Sequence, residues 1–209
     1  MKFLAIEGNI GAGKTSLAKK IAADTNAGLI LEQFKDNNFL PKFYKNPERY
    51  SLPLELSFLI NRYNQLEKDL LTFELNRGFI VSDYYYLKSL VFSSQTLQED
   101  EFKIYNQLFN IIYDKLPKPD LLVYLNVSVE RLLKNIKIRG REYEQNIKAE
   151  YLESIGESYL KLFKGQNNLK VLLVNTDNLD FVASNNDYNE LKRMIFCGDY
   201  KNGVTVITK

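Results

Sequence analysis

Residues 8–15 read Gly8-Asn9-Ile10-Gly11-Ala12-Gly13-Lys14-Thr15, a full match to the pattern GxxxxGK[ST]. The apolar run Phe3–Ile6 precedes it, and residues Lys14–Ala23 place apolar side chains at helical spacing. Strand, glycine-rich turn and helix in that order make a cradle for an anion. The glycines let backbone N–H groups curl around a phosphate, and the helix N-terminus adds its dipole. Lys14 is placed to reach the β- and γ-phosphates, and Thr15 to ligate Mg²⁺. Gly8, Asn9, Ile10, Gly11, Ala12, Gly13, Lys14 and Thr15, with Ser16 beside them, are therefore assigned to binding ATP or GTP.

Outward from this loop, five short apolar runs recur: Phe3–Ile6, Gly28–Leu31, Phe79–Val81, Leu121–Leu125 and Val171–Val174. Helical patterns separate them at Lys14–Ala23, Tyr50–Leu75, Glu99–Leu116, Val129–Ile138 and Glu150–Phe163. Strands alternating with helices predict an α/β domain with a parallel sheet covered on both faces. The whole chain, 1–209, is expected to form one such domain, with five strands. The tail Asn202–Lys209 alternates and reads as either an extra strand or a terminal arm.

Composition narrows the chemistry. The 209 residues carry a net charge of only +2, so no strong field for nucleic acid or a membrane surface is implied. No apolar run is long enough to span a bilayer, and the N-terminal stretch is too short for a secretory leader. The single cysteine, Cys197, suits a reducing cytoplasm. There is no histidine, so catalysis has to use carboxylates, Lys, Arg or a metal.

Late in the chain, Ile138-Arg139-Gly140-Arg141-Glu142-Tyr143-Glu144 places two arginines around a glycine. Phosphoryl transfer needs such positive charge on the equatorial oxygens of the moving group. No Asn-Lys-x-Asp motif reads a guanine base, as a GTPase switch requires, and Leu121–Leu125 runs into Asn126-Val127 rather than Asp-Glu.

Taken in order, these motifs resemble the deoxynucleoside kinases of the deoxycytidine, deoxyguanosine and deoxyadenosine kinase type, with a bacterial-like cast. Ile6-Glu7-Gly8-Asn9-Ile10 resembles the opening of that family's P-loop. Glu32 falls where the family keeps its catalytic base, and Tyr44, Pro47, Tyr50 and Arg62 fall at family spacings. Arg139, Arg141 and Glu144 resemble its lid, about residues 135–148. The resemblance implies a P-loop kinase fold with strand order 2-3-1-4-5, a helix-packed homodimer, and ATP- and Mg²⁺-dependent phosphorylation of a deoxynucleoside 5′-hydroxyl in nucleotide salvage. It implies Glu32 as general base, Tyr44 and Glu144 at the 3′-hydroxyl, Arg62 at the base edge, and Asn178–Phe181 near the donor's adenine.

The chain departs from the family in three places. Glu55 stands where a base-reading glutamine is expected; ionised, it only accepts hydrogen bonds and suits the N1–H and N2–H donors of guanine, protonated, it mimics glutamine and suits adenine or cytosine, and a purine deoxynucleoside is favoured. Strand three ends Ser82-Asp83-Tyr84 instead of acid-Arg-Ser. Asp83 keeps the acid as a metal ligand with Thr15, and Lys88 or Tyr84 is left to replace the arginine. The register after Asp83 admits two alignments, and Phe92 belongs either to the base pocket or to the core. Two other readings stay open. One is a thymidylate-type monophosphate kinase, disfavoured because Lys35 but no arginine lies near Glu32. The other is a non-catalytic nucleotide-binding protein.

Overall fold

The computed structural model describes residues 1–33, 37–76 and 78–207, and side chains outside 71–76; Lys35 and the last two residues of the tail lie outside these ranges. The described residues form a six-stranded, wholly parallel sheet. Its strands are β1 (Phe3–Gly8), β2 (Gly28–Ile30), β3 (Ile80–Ser82), β4 (Leu121–Asn126), β5 (Lys170–Asn175) and β6 (Gly203–Ile207), in the order β2-β3-β1-β4-β5-β6. The expected order of the first five strands holds. The strand count is corrected to six, because the tail pairs with β5, Val204 opposite Val171 and Ile207 opposite Val174. Its β-branched residues satisfy an edge that β5 would otherwise leave unpaired.

Each central strand is apolar on both sides, as a sheet covered on two faces requires. Along β1, Phe3 and Ala5 join one core while Leu4 and Ile6 join the other. Leu122 and Tyr124 of β4 likewise face one way and Leu121, Val123 and Leu125 the other. Helices α1 (Lys14–Thr25), α6 (Val129–Arg139) and α8 (Asn185–Cys197) bury apolar residues on the Leu4 side. On the Phe3 side lie α3 (Pro47–Asn76), α4 (Lys88–Thr96), α5 (Glu99–Tyr113) and most of the buried face of α7 (Ala149–Lys164). A short helix, α2 (Leu40–Lys45), brings Phe43 against Leu54 and Phe58 of α3 in a small separate cluster.

The long helix predicted at Tyr50–Leu75 starts earlier because Pro47, with its preset φ, suits a first turn. Helices α2 and α8 have no counterpart in the sequence pattern: the first is short, and the second carries a polar face that hides its apolar stripe of Tyr188, Leu191 and Ile195. Among the described residues no helix is long and apolar enough to cross a membrane.

Leu4 is fully buried on the central strand directly before the phosphate loop. Leu4→Ala should lower unfolding stability by about 2–5 kcal/mol, measured by urea denaturation.

Candidate functional site

The phosphate loop joins β1 to α1 at the C-terminal edge of the sheet, where ligand sites of open α/β folds form. Gly11 and Gly13 both sit in the left-handed region, at φ of 84° and 88°. A Cβ on Gly13 would lie 2.7 Å from the ring of Phe181, and one on Gly11 would lie 2.9 Å from the Leu132 carbonyl. Glycine is therefore required at both positions by conformation and by space. Asn135 Nδ2 donates to the Gly11 carbonyl at 2.9 Å, and Asn9 Nδ2 donates to the Leu152 carbonyl at 2.7 Å. The loop is thus tied to α6 and α7. Lys14 Nζ folds back onto the carbonyls of Gly8 and Asn9. Burial, and then the neighbouring Lys88 charge, pull its ammonium down to about 8.

Glu32 and Asp83 leave the ends of β2 and β3 side by side. Asp83 Oδ1 accepts from the Glu32 backbone N–H at 2.8 Å, and Asp83 Oδ2 accepts from the Thr15 hydroxyl at 2.5 Å. The Glu32 carboxylate is gripped by two cations. Arg62 donates to Oε1 from Nε at 2.9 Å and Nη2 at 2.7 Å, and Lys88 donates to Oε2 at 2.5 Å. Burial alone would raise the Glu32 carboxyl, but Lys88 and Arg62 overcome it and hold the group at about 2. Arg62 is steadied in turn by the Ser89 hydroxyl, 2.9 Å from Nη1, and its guanidinium lies over the Phe58 ring.

The tyrosine block after Asp83 turns inward, so Tyr84 does not replace the missing arginine at the phosphates. It is fully buried, and its hydroxyl donates to Gln65 Oε1 at 3.0 Å while Gln65 Nε2 donates to the Leu31 carbonyl at 2.8 Å. Tyr84 thereby braces the peptide that carries Glu32. The Tyr85 N–H donates to buried Glu7, whose other oxygen accepts from Tyr159. Tyr86 stacks on Phe109. Of the two candidates after Asp83, Lys88 is the one whose charge reaches Glu32.

Two cavities flank these residues. A wide one of about 1630 Å³ runs over the phosphate loop, between Lys134 and Ile138 of α6 and the segment 176–183. Arg131 braces that segment by donating to the carbonyls of Thr176, Asp177 and Leu179. A small one of about 110 Å³ is walled by Phe43, Tyr44, Leu54, Phe58, Phe92 and Tyr151, with Glu55 and Arg62 among its polar lining. The cavities share Lys14, Thr15, Glu32, Asp83, Arg139 and Arg141. Phe92 thus lines the small cavity, beneath the Lys88 ammonium, as well as packing on the core. In the predicted lid, Arg139 and Arg141 each bond one oxygen of buried Glu144, the second at 3.0 Å. Tyr44 stacks on Tyr143 beside them, 5.7 Å between ring centres.

Glu55 differs from the other buried acids of the site. Thr96 donates to Oε1 at 3.1 Å, and Oε2 has no partner among the described residues. Burial pushes this carboxyl up to about 7, against the opposing pull of Arg62. Gln65, Ser89, Thr96 and Arg131 hold the site together without standing out in the sequence, and Glu7 stands out there only as part of the phosphate-loop resemblance. Helical spacing held a signal for two of them. Gln65 continues the stripe Glu55, Phe58, Arg62 along α3, and Thr96 continues Lys88, Phe92 along α4.

The deoxynucleoside kinase family model matches residues 4–196. A deoxyguanosine kinase of Bacillus subtilis is 37% identical over 194 residues, covering 90% of this chain and 93% of that protein. A deoxyadenosine kinase of Lactobacillus acidophilus is 31% identical, covering 93% and 95%. A solved structure of deoxyadenosine kinase from M. mycoides with bound dATP matches at a TM-score of 0.79 and 22% identity, covering 93% of this chain and 99% of that one, a likeness of fold.

The raised Glu55 carboxyl has a consequence for stability. The unfolded chain loses this proton near 4.5 and the folded chain near 7, so the folded state is progressively disfavoured as pH rises across that window. Glu55→Gln removes the titration. Urea denaturation should show the variant gaining stability relative to wild type between about pH 4.5 and about pH 7, with a constant difference above and below.

Proposed function

The chain belongs to the deoxynucleoside kinase family and phosphorylates a nucleoside at its 5′-hydroxyl, and from that premise we propose ATP as donor, Mg²⁺ as metal and a purine deoxynucleoside as acceptor. The meeting of the two cavities at Lys14, Thr15, Glu32, Asp83, Arg139 and Arg141 carries the reading. The wide cavity takes the triphosphate along the loop, and the small aromatic one takes the nucleoside. The 5′-hydroxyl then meets the γ-phosphoryl group at the shared residues.

Thr15 and Asp83 fit Mg²⁺. A hydroxyl and a carboxylate stand 2.5 Å apart beside the phosphate loop, and this ion needs only one or two protein oxygens alongside water and phosphate. When bound, the ion neutralises charge on the β- and γ-phosphates. Glu32 orients the hydroxyl and accepts its proton. Its low basicity suits a loose transition state, in which the nucleophile is little deprotonated. Lys14, Arg139 and Arg141 meet the charge on the transferred group, and Lys88 takes the part of the absent arginine. Tyr44 and Glu144 take the 3′-hydroxyl, so lid closure is coupled to a bound sugar.

Deoxyguanosine and deoxyadenosine kinases among the relatives support a purine acceptor. Ile104, Leu108 and Ile111 form an exposed apolar stripe on α5, and Ile60 is exposed on α3, which packs against α5; this supports a helix-packed homodimer. The free thiol of Cys197 supports a cytoplasmic setting.

Glu32→Gln should lower kcat by ~10²-fold or more while ATP still binds, read by steady-state kinetics and calorimetry. Near-full activity would remove Glu32 as the base. Lys88→Ala should lower kcat by at least ~10-fold, with partial recovery in Lys88→Arg; unchanged turnover in Lys88→Ala would show that Lys88 takes no part in transfer.

A further inference from the structure

Glu55 lines the small cavity and carries one buried oxygen that nothing in the described structure satisfies. Glu55 is 2% exposed, its Oε1 takes the Thr96 hydroxyl, and its Oε2 takes no hydrogen bond. Native structures pair nearly all such atoms, so an orphan lining a ligand cavity calls for a donor on the ligand. Seven residues further along the same helix face, Arg62 uses Nε and Nη2 on Glu32 and Nη1 on Ser89. A guanidinium carries five N–H groups, which leaves two beyond these three bonds. The cavity therefore presents a carboxylate acceptor and, beside it, a cationic donor.

Building on the nucleoside kinase reading above, we propose that Glu55 selects a guanine-type edge: its carboxylate accepts from N1–H and the 2-amino group of deoxyguanosine, while Arg62 donates to the O6 carbonyl. Among the four common bases only guanine offers two adjacent donors. Adenine and cytosine set a ring-nitrogen lone pair beside their amino group, which would face a carboxylate oxygen. Thymine offers a single N–H between two carbonyls. A carboxylate can take two donors at once and still keep a lone pair for Thr96. A glutamine at this position would present one donor and one acceptor and would suit the alternating edges instead.

The protonation of Glu55 then tunes the choice. The charged and titratable groups around it are Arg62 on its own helix, Lys88 from α4, Tyr105 from α5, Tyr151 from α7, and Glu32. Burial keeps both tyrosines protonated. Arg62 and Lys88 favour the ionised carboxylate and Glu32 opposes it, with burial the largest influence. Two N–H donors from guanine favour the ionised form, whereas adenine pairs only with a protonated carboxyl.

The test compares deoxyguanosine, deoxyinosine, deoxyadenosine and deoxycytidine with wild type and Glu55→Gln, by kcat/KM and by calorimetric binding, at about pH 6 and about pH 8 on either side of the Glu55 titration. Ratios between nucleosides cancel the titration of Lys14, which acts on every acceptor alike. Wild type should prefer deoxyguanosine over deoxyadenosine by ~10²-fold or more at the higher pH, and less at the lower. Deoxyinosine, which keeps N1–H and lacks the 2-amino group, should trail deoxyguanosine by ~10-fold or more. Glu55→Gln should cut the guanine-to-adenine ratio by at least ~10-fold and flatten its pH dependence. Equal use of deoxyinosine and deoxyguanosine, a preferred adenine or pyrimidine nucleoside, or an unchanged ratio in the variant would overturn the assignment. Selective deoxyguanosine binding without turnover would sink the kinase reading and uphold this one; indifferent binding would end it.

Discussion

The site is organised around one carboxylate held between two cations. Glu32 leaves β2, Arg62 comes from α3, and Lys88 comes from the first turn of α4. A buried acid brought this close to the phosphate loop is costly unless its charge is matched, and a buried arginine or lysine is costly in the same way. Together they satisfy one another, and doing so fixes where two helices sit against the sheet edge. Asp83 extends the arrangement by joining the Glu32 backbone to the Thr15 hydroxyl. The walls shared by the two cavities are thereby held in one frame.

The other acids follow the same rule with one exception. Glu7 is sealed under the loop by a backbone N–H and the Tyr159 hydroxyl, and Glu144 takes both lid arginines. Among the acids of the described residues, Glu55 alone keeps a buried oxygen unmatched. Its environment therefore favours the protonated form at the same depth at which Glu32 stays ionised. Two glutamates a few side chains apart acquire opposite character from their partners.

Much of this was legible in the chain. The phosphate loop, the five central strands and the pair Arg139 and Arg141 around Gly140 carry local signals, each a glycine-bearing, apolar or charged pattern, whereas the strand order and the places of Glu32, Arg62 and Glu144 followed from the family resemblance, and Lys88 from its departure after Asp83. The residues that hold these groups in place were not legible. Gln65, Ser89 and Thr96 are ordinary polar residues on helices, and only the packing of α3, α4 and the strand ends turns them into supports. The sixth strand was ambiguous because an alternating tail pairs only where a sheet edge lies open to it.

By itself, the sequence determined the class of chemistry. A glycine-rich anion cradle after a strand, two arginines around a late glycine, and the absence of histidine leave phosphoryl transfer with carboxylate and cationic help. These follow from local backbone needs and side-chain type. The fate of the tyrosines after Asp83 depended on tertiary structure. Their phenols are bulky and largely apolar, so they fill the core, and the backbone turn that buries them begins α4 with Lys88 facing Glu32. Which cation stands beside the acid is a matter of distance through space, and residues 56 apart in the chain meet only when the sheet and helices have packed.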